Sequence, residues 1–275
     1  MKLTVDQIRL FQQKIYDYYH KNRRDFAWRR DITEYKVFIS EVMLQQTQTA
    51  RVSVKFDQWI QKFPDFTSVA QASQHEILLT WQGLGYNRRG LNVARAAQKI
   101  VDDFNGSLPR TLDQLEDLPG IGPNTAGSIS AFAFNLPVAF IETNIRTVFL
   151  YEFFQEKDLV HDKEILDLVK QTVNEQNPRD WYYALMDYGV YLKKELKINN
   201  KKSKQYARQS KFEGSRRQVR GAVIRILSLV KKISEEELVF LVKEEIPENI
   251  HSVENVVQQL LDETLIFKKD SYIYL

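Results

Sequence analysis

Cysteine is absent from the 275 residues. That excludes disulfides, a thiolate nucleophile, a Cys-ligated zinc site and a Cys-held iron–sulfur cluster. Histidine is scarce. His20, His75, His161 and His251 are scattered, no pair has the i,i+4 spacing of a metal-binding helix face, and no metal site is expected. Long apolar runs are missing. No eighteen apolar residues follow one another, so no membrane-spanning helix is expected. In the opening Met1-Lys2-Leu3-Thr4-Val5-Asp6-Gln7, charges break each apolar run, which does not read as a signal peptide. The expected location is therefore the cytoplasm, on the nucleoid if the source is a bacterium. Glycine and proline are few, 10 and 7, which favours long helices. What remains is ordinary for a globular chain: 43% hydrophobic and 27% charged, long enough for one large domain or two modest ones.

The net charge of +3 hides an asymmetry. Residues 193–220 carry eleven basic side chains, Lys201, Lys202, Lys204 and Arg208 among them, against Glu195 and Glu213. This segment is +9 and leaves the remainder at −6. Such a stripe suits a polyanion, or it is a solvated connector between folded parts. Asn199-Asn200, Ser203, Gly214 and Ser215 favour the connector, and 193–214 is read as a basic linker.

Helical spacing of apolar residues predicts helices over 4–20, 36–50, 51–62, 66–72, 74–81, 88–104, 111–116, 123–134, 143–155, 162–175 and 179–194. Asp65 or Thr67, and Ser73, are candidate N-caps. No alternation long enough for a sheet precedes residue 260. In the tail, Ser215–Lys232 reads as a helix. Ser234-Glu235-Glu236-Glu237 is a capping box opening a helix to about Glu245, Pro247 breaks it, and Ser252–Glu263 is a third. Leu265-Ile266-Phe267 and Tyr272-Ile273-Tyr274-Leu275 then read as two strands joined by a turn. Three helices and a hairpin resemble a winged helix over 215–275.

The most informative motif is Leu118-Pro119-Gly120-Ile121-Gly122-Pro123-Asn124-Thr125-Ala126-Gly127. Pro119 ends one helix, and Pro123 suits the first turn of the next. Gly120 and Gly122 permit backbone angles and close approach that side chains forbid. The loop turns amide hydrogens outward at a helix N-terminus, which makes Gly120, Gly122 and Thr125 a candidate phosphate seat.

Two further segments join it: Ser40-Glu41-Val42-Met43-Leu44-Gln45-Gln46-Thr47-Gln48, and Trp81-Gln82-Gly83-Leu84-Gly85-Tyr86-Asn87-Arg88-Arg89-Gly90-Leu91. Together the three resemble the helix–hairpin–helix (HhH-GPD) DNA glycosylases, and within them the adenine DNA glycosylase (MutY) branch. The resemblance covers about residues 20–192. It implies an all-α, two-lobed core, one lobe of about 30–135 and another of 1–29 with 136–192. The site would lie between the lobes, and the partner would be double-stranded DNA with a lesion or mismatch, engaged by a monomer away from any membrane.

The resemblance places roles on residues. Glu41 falls on the catalytic acid. Breaking an N-glycosidic bond requires protonation of a poor leaving group, and a carboxyl beside apolar Val42, Met43 and Leu44 would hold its proton near neutral pH. Glu142 falls where the family has Asp, keeping a carboxylate with one more methylene to face an oxocarbenium-like sugar. Asn144 matches an Asn that orients the site. Asn124 stands where bifunctional relatives such as endonuclease III carry the Lys that forms a Schiff base, so no lyase activity is expected. Gln45, Gln46 and Tyr86 match side chains that fill the duplex around an extruded base, and Arg88, Arg89 and Arg146 are candidate phosphate contacts. Trp28 matches an aromatic near the pocket; for Trp28 and Tyr86 core packing is the competing reading.

The departures are equally specific. After Tyr188-Gly189 the family's four cluster cysteines give way to Val190-Tyr191-Leu192-Lys193-Lys194-Glu195, so no cofactor is expected. A loosely held cation at hairpin 118–123 is the one exception entertained. The winged-helix-like tail stands where the adenine branch has its 8-oxoguanine-reading domain. The implied function is monofunctional base excision. Two alternatives stay open: a thymine, uracil or other damaged-base glycosylase, and a non-catalytic lesion- or structure-binding protein.

Overall fold

A computed structural model describes residues 1–206, 211–230, 232–247 and 251–275. Arg208 of the basic stretch and residue 231 of the expected helix 215–232 lie outside the described residues. The helices are α1 (Val5–Asn22), α2 (Ala27–Arg30), α3 (Glu34–Leu44), α4 (Thr49–Lys62), α5 (Phe66–Ala70), α6 (Gln74–Trp81), α7 (Arg88–Phe104), α8 (Leu112–Glu116), α9 (Pro123–Phe134), α10 (Thr143–Phe153), α11 (Asp162–Thr172), α12 (Pro178–Lys194), α13 (Arg216–Leu229), α14 (Glu235–Glu245) and α15 (Val253–Asp262). Three short strands complete the order: β1 (Ile233–Ser234), β2 (Phe267–Lys269) and β3 (Tyr272–Tyr274). The all-α expectation holds for the core. Among the described residues no helix is long and apolar enough to cross a membrane.

The chain divides into two compact units. One comprises Met1–Glu41, Pro109–Asp117 and Ile121–Arg208; the other comprises Val42–Leu108, Leu118–Gly120 and Gln209–Leu275. This corrects the expected lobes of 30–135 and of 1–29 with 136–192. The first division falls inside α3, and α9 belongs with the N-terminal helix rather than with 42–108.

In the first unit α12 is the axis, packed on α1, α9 and α10. Trp181 and Tyr182 are fully buried, and Phe11 meets Trp181 and Phe149 edge-on with ring centres 5.6 and 5.5 Å apart. Burying such rings contributes about 2–3 kcal/mol each before packing losses. The expected linker is a correction. Asn200 and Ser203 are buried, and the Val160 amide and carbonyl bond to the backbone of Lys202 and Lys204 at 2.8 and 3.0 Å. Through residue 206 the segment is therefore docked chain.

In the second unit Trp59 and Trp81 pack edge-on, ring centres 5.4 Å apart, at the base of α4 and α6. The tail forms a winged-helix arrangement of α13, β1, α14, α15, β2 and β3. Its sheet has the antiparallel order β1-β3-β2, with Ile233 opposite Ile273 and Phe267 opposite Tyr274. β1 overturns the expectation of no strand before 260. It is only two residues long, too short for a period-2 pattern to register. β2 begins at Phe267 rather than at Leu265 as expected, and Leu265 and Ile266 are buried ahead of it. The module is docked on 42–108: α13 lies on α6, and Gln74 donates to the carbonyls of Thr264 and Leu265 at 3.3 Å. Of the expected caps, Asp65, Ser73 and Ser234 accept from Ser68, Glu76 and Glu237 amides respectively.

Candidate active site

Helix α3 is apolar from Val37 to Met43 and largely buried, and Glu41 sits in that run. The Glu41 carboxyl is withdrawn from water, which pushes it up from the ordinary 4.5 to about 7. A hydrogen bond with Ser128 and the positive charge of Arg29 act in the opposite direction, and the negative charge of Glu142 pushes it further up. Half-neutral at physiological pH, this is a carboxyl suited to proton donation.

The cation near Glu41 is built in. Arg29 is buried; its Nη1 donates to Asp187 Oδ1 and Oδ2 at 3.1 and 2.9 Å, and its guanidinium lies 4.2 Å from the centre of the Tyr183 ring. Asp187 also accepts from Arg24 Nε at 2.7 Å. Burial, and then the charge of Glu41, raise the Tyr183 hydroxyl above its ordinary value. Trp28 is buried and stacks on Phe26 at 4.8 Å, which resolves its two readings toward packing.

Glu142 is the N-cap of α10. Its Oε1 accepts the amides of Asn144 and Ile145 at 2.7 and 2.8 Å, and its Oε2 accepts Asn144 Nδ2 at 3.2 Å. Three donors on one carboxyl group fix its position. Asn144 Oδ1 in turn accepts Lys193 Nζ at 2.8 Å, and that ammonium also reaches Thr143 Oγ1 at 3.3 Å. Burial lowers the Lys193 pKa, while the Glu142 charge holds it up. Lys193 reaches this place because α12 lies hard against α10. A Cβ on Gly189 would stand 2.5 Å from the Asn144 carbonyl oxygen. Asn124 Oδ1 accepts the Ile141 amide at 3.2 Å and so tethers the segment entering Glu142.

Glu41, Glu142, Asn144 and Asn124 all belong to the first unit. The expected lobe bounds put Glu41 and Asn124 in 30–135 and Glu142 and Asn144 in 136–192; the two-unit division groups all four together. Ser128, Arg29, Asp187, Tyr183 and Lys193 were not singled out in sequence as site residues. Only the charge of Arg29 and Asp187 within apolar surroundings could have flagged them, because a buried charge requires a partner.

Of the residues expected to contact DNA, Gln45, Gln46, Tyr86, Arg88, Arg89 and Gly120 belong to the second unit, and Gly122, Thr125, Lys201, Lys202 and Lys204 to the first. Gln45 Nε2 donates to the Gly120 carbonyl at 3.2 Å. Gln46 and Tyr86 adopt left-handed backbone, φ 55° and 50°, a strained state for such residues. Helix α3 ends at Leu44, just before the left-handed turn at Gln46, rather than at 50 as expected. Arg89 holds the arrangement: Nη1 donates to the Val42 and Met43 carbonyls at 2.8 and 3.0 Å, and Nη2 to Thr47 Oγ1, Leu84 O and Gly85 O at 2.9 to 3.0 Å. Burial lowers its pKa to about 10. Arg89 is therefore a rivet between two loops, a correction to its reading as a phosphate contact. Arg146 is corrected likewise, since it forms a two-pronged pair with Asp162 at 2.9 and 2.7 Å. Tyr86 is 39% exposed, so core packing does not describe it. Arg88 lines the same cavity as Tyr86.

At the hairpin Gly120 has φ +83°, and a Cβ there would meet Asn92 Nδ2 at 2.8 Å. Gly122, the N-cap of α9, has φ −103° and open space around a would-be Cβ, so the double requirement read in sequence belongs to Gly120 alone. Thr125 lies in the first turn of α9. Lys201 and Lys204 are exposed, whereas the Lys202 ammonium donates to the Gln155 carbonyl. Helix α12 continues through Lys194, with Tyr188 stacked on Tyr191 at 5.9 Å.

Residues 39–209 match the family model of the HhH-GPD superfamily base excision DNA repair proteins. The human adenine DNA glycosylase is 34% identical over 198 residues, 68% of this chain and 36% of that protein. The adenine DNA glycosylase of Buchnera aphidicola subsp. Baizongia pistaciae is 34% identical over 197 residues, 69% of this chain and 55% of that protein. The matched region thus spans between about a third and about half of those relatives' lengths. Among solved structures, a thermostable thymine-DNA glycosylase superposes with a TM-score of 0.61 at 24% identity, covering 70% of this chain and 89% of that one. A non-covalent endonuclease III–DNA complex gives 0.56 at 18% identity, covering 73% and 97%. By its sequence match over residues 39–209, and in keeping with its fold, the chain belongs to the HhH-GPD superfamily of base excision DNA repair proteins.

Proposed function

We propose that the protein is a monofunctional DNA N-glycosylase of the adenine-glycosylase type, acting as a monomer on double-stranded DNA with a damaged or mispaired base. The observation that carries this reading is the pairing of a carboxyl near pKa 7, Glu41, with a neighbouring carboxylate held by three N–H donors, Glu142. Two carboxyl groups of unlike environment are what glycosidic cleavage requires. Glu41 gives its proton to the departing base as the C1′–N bond breaks. The sugar cation that forms is stabilised by the Glu142 anion. Water adds its oxygen to C1′, and the proton it loses restores Glu41. Asn144 and Lys193 hold Glu142 in position. No step needs a cofactor, and a cation at hairpin 118–123 would serve only phosphate binding. The protein works wherever cellular DNA is held.

Asn124 offers no amine for an imine, and the Lys193 ammonium is engaged by Asn144 and Thr143. The product strand should therefore stay intact until alkali or heat is applied, and borohydride should trap no protein–DNA adduct. The test is single-turnover base release on duplexes carrying adenine opposite 8-oxoguanine, adenine opposite guanine, thymine or uracil opposite guanine, and hypoxanthine. Release from at least one duplex, abolished in Glu41→Gln, supports the reading. Release from none, or equal release by the variant, points to a lesion-binding protein instead.

A further inference from the structure

The winged-helix module has no evident task in base removal, and its surface argues against its usual one. Helix α15, which a winged helix normally offers to the major groove, carries Glu254 and Asp262 and no Lys or Arg. Helix α14 carries five Glu against Lys243. Such helices repel a phosphate backbone.

The other end of the module differs. Within the second unit a cavity of about 510 Å³ lies between the loops holding Gln45 and Tyr86 and the face of α13 that carries Arg217, Arg220 and Gly221. The Arg217 guanidinium lies 5.8 Å from the centre of the Tyr86 ring, and its Nη1 lies 3.3 Å from the Tyr86 hydroxyl. Arg89 lies 5.7 Å from the same ring. Arg220 is fixed by a two-pronged pair with Glu263 at 3.0 and 2.6 Å. Gly221 stands in the middle of α13, where a side chain would meet nothing within 4 Å. A glycine there weakens the helix relative to Ala, and what it preserves is space in the cavity.

We propose that the C-terminal module serves the DNA site through α13 rather than α15. Arg217 and the Gly221 face close a pocket with Gln45, Gln46 and Tyr86 that takes one nucleotide of the bound duplex. The chemistry is complementary throughout: carboxamides for a base edge, an aromatic ring for a base face and guanidinium for phosphate. The size falls in the range of small-ligand pockets. The proposal rests on the reading of the protein as a DNA-acting enzyme.

The experiment measures fluorescence-anisotropy affinity of the full chain for a duplex carrying a tetrahydrofuran abasic analogue, a readout that needs no base release. Arg217→Ala should weaken affinity about tenfold, the scale of one lost charge-assisted contact, and lower the log–log salt slope by about 0.9. Gly221→Leu should weaken affinity to a similar degree with every charge retained, while its melting temperature does not fall. Asn255→Ala with Gln258→Ala, on the exposed face of α15, should bind as the parent does. Parent-like affinity of both pocket variants, or a loss confined to the α15 variant, overturns the proposal. Deoxynucleoside monophosphates competing as well as duplex at equal nucleotide concentration would overturn its assignment to DNA. A parent that binds with this Arg217 dependence but releases no base supports the pocket and sinks the glycosylase reading alone.

Discussion

Glu41 draws two opposed consequences from one burial. The folded chain holds its proton up to about pH 7, whereas in the unfolded chain it leaves near 4.5. Between those values the folded state binds the extra proton, so stability falls as pH rises from about 4.5 to about 7 and is level above. Glu41→Gln removes that cost. The variant should melt higher than the parent at pH 8, by a stability gain on the order of 3 kcal/mol, and lose the advantage near pH 5. Its base release should nevertheless fall about 10²–10⁴-fold, and parent activity should decline as pH rises past 7. Thermal melts at the two pH values beside single-turnover rates check both signs. At Glu142 the two effects run together. Glu142→Gln weakens the α10 cap by about 1 kcal/mol and the sugar-cation stabilisation by about 3 kcal/mol. Glu142→Asp keeps a capping carboxylate and should keep the stability; its rate then reports whether the longer arm is needed. A Gln variant releasing base at the parent rate would remove Glu142 from the chemistry.

At the scale of elements, helix identity was legible because apolar spacing is a local property. α6, α7 and α9 fall where 74–81, 88–104 and 123–134 were expected. What was not legible depends on partners distant in sequence. α3 stops at Leu44 because Arg89 takes its last carbonyls and Gln46 turns left-handed, and no pattern within 36–50 announces either. Lys193 read as one charge of a basic run, and its approach to Asn144 is set by Gly189, earlier on the same helix, where α12 meets α10. The motif residues were readable, yet their supports were not: Arg29 and Asp187 show their pairing only in three dimensions. Two helix glycines test this distinction. Gly189→Ala drives a Cβ to 2.5 Å from the Asn144 carbonyl and should separate α12 from α10, costing about 1–3 kcal/mol and most of the base release. Gly221→Ala meets nothing within 4 Å and should stabilise by up to about 1 kcal/mol. Denaturant melts of the pair, with equal losses in both, would show that contact with α10 is not what keeps Gly189 small.

For the whole molecule the question raised by the proposed function is how a chain of net charge +3 would address a polyanion. The sequence answered with a single +9 segment, but the fold distributes that segment unevenly. Lys193 is turned into the candidate site, the Lys202 ammonium is held by the Gln155 carbonyl, and Arg220 is paired with Glu263. Lys201 and Lys204 keep their side chains exposed on chain that is docked rather than loose, because the Val160 backbone pins residues 202 and 204. A docked lysine presents its charge at a fixed place, which a solvated linker does not. Affinity for duplex DNA should therefore fall with salt, and replacing Lys201, Lys202 and Lys204 together by Ala should flatten the log–log slope. The three-contact limit of counterion release is about 2.7. With Lys202 engaged internally, the expected loss is nearer two contacts, about 1.8. Lys202→Ala alone should change the slope little, and Lys201→Ala with Lys204→Ala should reproduce most of the triple variant. Titrations between 50 and 200 mM salt decide this. An unchanged slope in the triple variant would mean that residues 201–204 face away from the DNA, leaving phosphate contact to the 118–125 hairpin and to Arg217.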